Sequence, residues 1–116
     1  MTLPPDDSAR LHHMLDHAVE AVEVAAGLCR ADLDSNRVRC LALARLLEIV
    51  GEAAARVSQE TRNNQPAIPW AAIVGLRNRL IHGYDDVDLD IMWTIVRDDL
   101  PPLIENLRAL PQVSPN

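Results

Sequence analysis

Residues 75–88 read GLRNRLIHGYDDVD, in which Arg77 and His82 form an RxxxxH pair, His82 and Tyr84 form HxY, and Asp85, Asp86 and Asp88 follow closely. A guanidinium suits an anionic phosphorus centre, because its planar fork donates two parallel hydrogen bonds and its charge does not titrate. An imidazole can take and give a proton near neutral pH. Together they are a minimal kit for phosphodiester cleavage without a metal. With 11 basic residues, all arginine, and 4 histidines in 116 positions, chance alone gives about 0.4 such pairs, so the spacing needs support from its surroundings.

That support must come from the elements that carry the pair. Helical geometry puts Val74, Arg77 and Ile81 on one stripe and Ile73, Leu76 and Leu80 on the next, so Arg77 is expected among apolar neighbours. Five positions turn a helix by about 500°, which leaves His82 some 140° from Arg77. One straight helix therefore cannot aim both at one phosphate. Either the helix unwinds at Gly83, a natural residue for a helix end, or a second copy of the chain completes the site.

The spacing of Leu11, Leu15, Ala18, Val22, Ala25 and Cys29 predicts an amphipathic helix over 8–30, capped by Asp6, Asp7 or Ser8. A second is expected over 35–58, with Leu43, Leu46, Val50, Ala53 and Val57 as its main stripe and added alanines widening the apolar face. Residues 59–69 read as a loop, and a short helix follows from Pro69 to His82. Asp88 is placed to cap the last helix, whose apolar heptad runs from Leu89 to Leu110 and which Pro101 and Pro102 must kink or split near Leu100. No strand-like alternation, repeat or low-complexity tract appears. The expectation is an all-α fold: one domain over 1–116, an up-down four-helix bundle with a kinked last helix, frayed over 1–7 and 111–116, and homodimeric through surplus apolar surface.

Hydrophobic content of 48% fits a chain with a real core. The absence of an apolar run near 20 residues and of a basic, apolar leader points to a cytoplasmic chain with no membrane span. Cys29 and Cys40 lack any paired spacing, and buried thiols are expected rather than zinc or a disulfide. His13 and His17 stand four apart, a zinc-compatible spacing, but only Asp16 or Glu20, off to the side, offers a third ligand; no metal and no cofactor is expected. The net charge of −6 opposes broad electrostatic binding of nucleic acid, although Arg56, Arg62, Arg77 and Arg79 could make a local basic strip. Arg45, Glu48, Glu52 and Arg56 read as a solvated ion-pair ladder, with the alternative that Glu48 or Glu52 holds a site arginine.

The blocks LLEIVGEAAARVS at 46–58, IPWAAIVGLRN at 68–78 and RLIHGYDDVD at 79–88 resemble, in order, the helical blocks of HepT-like ribonuclease toxins of the HEPN superfamily. The resemblance covers nearly all the chain after Asp34; the first helix matches only in pattern. It implies a helical bundle and a homodimer in which two RxxxxH motifs form one metal-independent endoribonuclease site. His82 would be the acid/base group and Arg77 the phosphate binder, with Asn78 and Arg79 orienting the RNA substrate. The HxY subtype further implies a toxin-antitoxin pair, in which a minimal nucleotidyltransferase antitoxin adds AMP to Tyr84. Chemically, RNA carries its own nucleophile, so a base near the 2′-hydroxyl can start in-line attack and leave a 2′,3′-cyclic phosphate. The competing expectation is an idle helical module that only docks a nucleotidyltransferase.

Overall fold

In the computed structural model, which describes residues 5–82, 86–111 and 113, the first apolar seam forms α1, Pro5–Ala25. It stops short of the expected end because Gly27 adopts φ +80°, a left-handed conformation that glycine takes freely, and Leu28 N–H closes the turn on Ala25 O at 3.0 Å. After the single turn α2, Asp32–Ser35, the side chain of Asn36 accepts from Arg39 N–H at 3.1 Å and caps α3, Arg37–Ala55. The wide apolar face of α3 buries Leu43, Leu47, Val50 and Ala54 along α1, while its other edge meets the helices of the site. Gly51 makes that second contact possible: a Cβ there would lie 2.9 Å from Ile73 O.

The segment expected as a loop contains a further helix, α4, Gln59–Asn64. Its N-cap is Ser58, and Asp7 anchors that cap. Asp7, in the stretch expected to fray, is 3% exposed and accepts from Ser58 N–H at 2.9 Å, Ser58 Oγ at 2.5 Å and Thr61 Oγ1 at 2.6 Å. Burial pushes its carboxyl up, but the Ser58 and Thr61 hydrogen bonds and the nearby Arg62 charge more than offset this and hold it below 3.8. Arg62 then turns back to donate to Val57 O, Ala54 O and Ala55 O, closing the end of α3.

The helix expected from Pro69 to His82 is broken into α5, Trp70–Val74, and α6, Leu76–Leu80, with Gly75 between them. Asp88 caps α7, Leu89–Thr94, as expected, its Oδ1 accepting from Ile91 N–H at 3.0 Å. The prolines act without splitting the axis: a π-helical turn, Ile95–Asp99, leads into α8, Leu100–Arg108, with Pro101 and Pro102 in its first turn. Proline has no N–H and its ring crowds the carbonyl four residues back, and a widened turn relieves both problems. Val96, Leu100, Leu103 and Leu107 thus stay buried, and α8 packs against α1. The result is an all-α bundle of four helical segments, α1, α3, α5–α6 and α7–α8. Among the described residues no strand occurs beyond an isolated Ile81–Val87 bridge, and no helix is long and apolar enough to cross a membrane.

Candidate active site

Helix α6 ends at Leu80, and Ile81 is already extended at φ −109°, ψ 115°. The unwinding expected at Gly83 therefore happens two residues earlier. The cause is a fold-back of the chain: Ile81 bridges Val87, His82 N–H donates to Asp86 O at 2.8 Å, and Asp88 N–H donates to Leu80 O at 2.7 Å. Ile81 is half-buried against the core and its branched Cβ favours the extended state, so these bonds hold better than one more helical turn. His82 sits at the start of the fold-back. Gly83, Tyr84 and Asp85 lie outside the described residues, and with them the expected modification site Tyr84.

His82 is exposed, and its Nε2 lies 3.4 Å from Asp88 Oδ2, an ion-pair distance rather than a short hydrogen bond. The Ile91 N–H bond, with help from His82, keeps the Asp88 carboxyl below the usual carboxylate range against the opposing effect of burial. The Asp88 carboxylate sets a negative charge beside Nε2 and leaves the Nδ1 edge of the ring away from it. Asp88 thus works twice, as helix cap and as partner of His82. Only the first role was read from the sequence; the available signal for the second was a carboxylate six residues after the histidine, across turn-forming residues.

Arg77 does not sit among apolar neighbours. Helix α6 buries Leu76 and Leu80, as the stripe pattern predicts, and Arg77, about 100° further round, is exposed together with Asn78 and Val74. Among the described residues no carboxylate pairs with Arg77, and no hydrogen bond joins it to His82. Arg79, about 200° from Arg77, turns the other way: it lies 3.7 Å from Asp99 and lines a cleft of about 490 Å³ walled by Ile73, Leu76, Leu100 and Leu103. His82 and Asp88 are therefore together, Arg77 and Asn78 share an open face, and Arg79 is held elsewhere.

The expected basic strip is also dispersed. Arg62 caps α3 and Arg79 is paired, and among the described residues Arg56 and Arg77 have no carboxylate partner. In the expected ladder, Arg45 reaches Glu48 at 3.3 Å and Glu52 at 3.5 Å, while Arg56 takes no part. Cys29 is exposed and Cys40 half-buried, both free. Among the described residues no group of three metal-binding side chains occurs.

An exposed guanidinium with no carboxylate partner among the described residues, followed five positions later by an imidazole beside a carboxylate, is equipment for handling a phosphodiester. Comparison with known proteins agrees. Residues 14–110 match the model of a family described as ribonuclease HepT-like. The chain is 35% identical over 98 residues to a "Putative RNase" of Methanocaldococcus jannaschii, covering 84% of this chain and 90% of that one. It is 31% identical over 102 residues to a "Putative RNase" of Caldanaerobacter subterraneus, covering 88% and 91%. A "Probable ribonuclease HepT" of Thermococcus cleftensis is 32% identical over 93 residues, covering 77% and 84%. No solved structure matches the chain. The helical bundle, the His82–Asp88 pair and these relatives lead to one assignment: the chain belongs to the HepT-like ribonuclease family.

Proposed function

We propose that the protein is the toxin of a toxin-antitoxin pair, an endoribonuclease that cleaves RNA without a metal through Arg77 and His82. The observation that carries this reading is the contrast between arginines: Arg79 lies against Asp99, whereas Arg77 is exposed and has no carboxylate partner among the described residues. His82 removes the 2′-hydroxyl proton, the 2′-oxygen bonds to phosphorus, and the P–O5′ bond breaks as a proton reaches the leaving oxygen. Arg77 neutralises charge growing on the non-bridging oxygens. Asp88 supplies a negative charge beside the ring, and Asn78, exposed next to Arg77, contacts substrate.

Base and acid are distinct tasks, which suits a homodimer that supplies two histidines. Val38 at 79%, Leu41 at 43% and Val74 at 36% exposure offer apolar surface for such a contact; Val74 precedes Arg77 by three residues, and Leu41 lines a hollow with Asp86 and Val87 beyond His82. AMP placed on Tyr84 by a nucleotidyltransferase antitoxin adds bulk and negative charge two residues from His82, which would block the phosphate.

The test is RNA cleavage in EDTA by wild type, Arg77→Ala and His82→Ala. Cleavage leaving a 2′,3′-cyclic phosphate, lost in both variants, supports the reading. Equal, harmless growth of bacteria expressing wild type or His82→Ala would favour the docking module instead. Co-expression with the nucleotidyltransferase should add one AMP mass to wild type and none to Tyr84→Phe; a Tyr84→Phe chain still silenced by covalent AMP overturns the Tyr84 assignment.

A further inference from the structure

On the face where α1 lies along α3, a groove of about 180 Å³ is lined by Arg10, His13 and His17 from α1 and by Ile49, Glu52, Ala53 and Arg56 from α3. Among the described residues neither Arg10 nor Arg56 has a carboxylate partner, and the one acid in the groove, Glu52, is drawn to Arg45 at 3.5 Å. Two free guanidinium groups thus face each other across a partly apolar floor, in a chain whose net charge is −6. Such a local reversal of sign concentrates anions.

The histidines add to it. His17 Nδ1 lies 2.7 Å from His13 O, and since a carbonyl only accepts, Nδ1 carries the hydrogen. Nε2 can then donate to an anion only in the protonated ring. The His13 ring stands edge-on to it, centroids 6.3 Å apart. From Arg10 to His17 the donors on α1 span about 10 Å, a track rather than a point.

We propose that this groove is a second RNA-contact surface, which takes the sugar-phosphate backbone of substrate beyond the scissile linkage. The proposal rests on RNA being the substrate, which membership of the ribonuclease family supports. The guanidinium groups supply the base-independent affinity that an acidic protein otherwise lacks, and a single strand can cross them without being read. His13 and His17 add polar ring edges to the α1 side of the same track.

The experiment measures binding of a non-cleavable 2′-O-methyl RNA 20-mer to the full chain as salt is varied. Losing two single-strand phosphate contacts lowers the slope of log K against log salt by about 1.4, so Arg10→Gln/Arg56→Gln should bind about 25-fold more weakly near 0.1 M salt. Arg10→Lys/Arg56→Lys should recover most of that loss. An unchanged affinity and slope in the Gln variant overturns the proposal. So does a polyglutamate peptide of equal charge that binds wild type as tightly and suffers the same loss, which would make the groove a protein-docking site. Because the oligonucleotide cannot be cleaved, groove-dependent binding by a chain that cleaves no RNA would refute the catalytic reading alone.

Discussion

Truncating Asp7 to alanine tests whether one carboxylate joins the first helix to the segment that leads into the site. Its two oxygens accept from Ser58 N–H, Ser58 Oγ and Thr61 Oγ1. Ser58 is half-buried and can turn to water, but Thr61 is 2% exposed, and its hydroxyl then has only Ser58 Oγ, 3.2 Å away. Three charge-assisted bonds lost, with the buried Thr61 hydroxyl reduced to that one long neutral contact, give a cost of about 3 kcal/mol. With unfolding entropy near 2.1 cal/mol/K per residue, a chain of 116 residues should lose about 12 °C in Tm.

The pH dependence has a definite sign. The carboxyl is held below 3.8 in the folded chain, so its contribution is complete above 3.8 and fades as pH falls through the lower folded value. Thermal unfolding of wild type and Asp7→Ala should therefore show the full gap near neutral pH and a narrowing gap below 3.8. Adding Thr61→Val should cost less than the sum of the single changes, because removing both partners leaves no orphan. A loss under about 4 °C near neutral pH, or a gap that persists undiminished in acid, would refute the account.

Gly51→Ala forces a Cβ to within 2.9 Å of Ile73 O, and since backbone cannot swing aside, stability measured in urea should fall by about 1–3 kcal/mol. Arg62→Met removes the side-chain donor of Ala55 O and Val57 O and one of the donors of Ala54 O, and a loss of about 1–2 kcal/mol should appear in the same assay. Asp88→Ser retains a capping side chain while removing the His82 partner; RNA cleavage should drop about tenfold or more in kcat with Tm nearly kept, whereas Asp88→Ala should lose both.

Much of the fold was legible because burial and spacing speak together. Leu43, Leu46, Val50, Ala53 and Val57 could face only a core, and Asp88 sits where a helix begins. What escaped was decided at a distance. Ile81 leaves the helix because of Val87 and Asp86 across the turn, and no local periodicity carries that information. Ser58 caps α4 on a segment that reads as polar loop, its position fixed by Asp7, 51 residues away. The prolines were rightly expected to disturb the last helix, but whether by a break or a π turn depended on the need to keep Leu100 and Leu103 on the α1 side. At the site, residue types and spacing named Arg77 and His82, yet exposure of the first and the Asp88 partner of the second appeared only once the chain was folded.

The arginines show why net charge is a poor guide to this surface. All eleven basic residues are arginine, and the structure sorts them by partner. Arg30 is held by Asp34 and Asp90, Arg45 by Glu48 and Glu52, and Arg79 by Asp99. Arg62 serves three carbonyls, and Arg97 lies over the Trp93 ring at 5.5 Å. A guanidinium already matched in this way has little to offer a phosphate, because binding would have to break the existing bonds first. On the proposed reading, affinity for RNA depends on arginines that have no such partner among the described residues, Arg77 on α6 and Arg10 and Arg56 in the groove, and not on the sum of charges over the chain. A surplus of acids elsewhere would then work in the same direction, disfavouring the RNA backbone on surfaces that carry no such arginine.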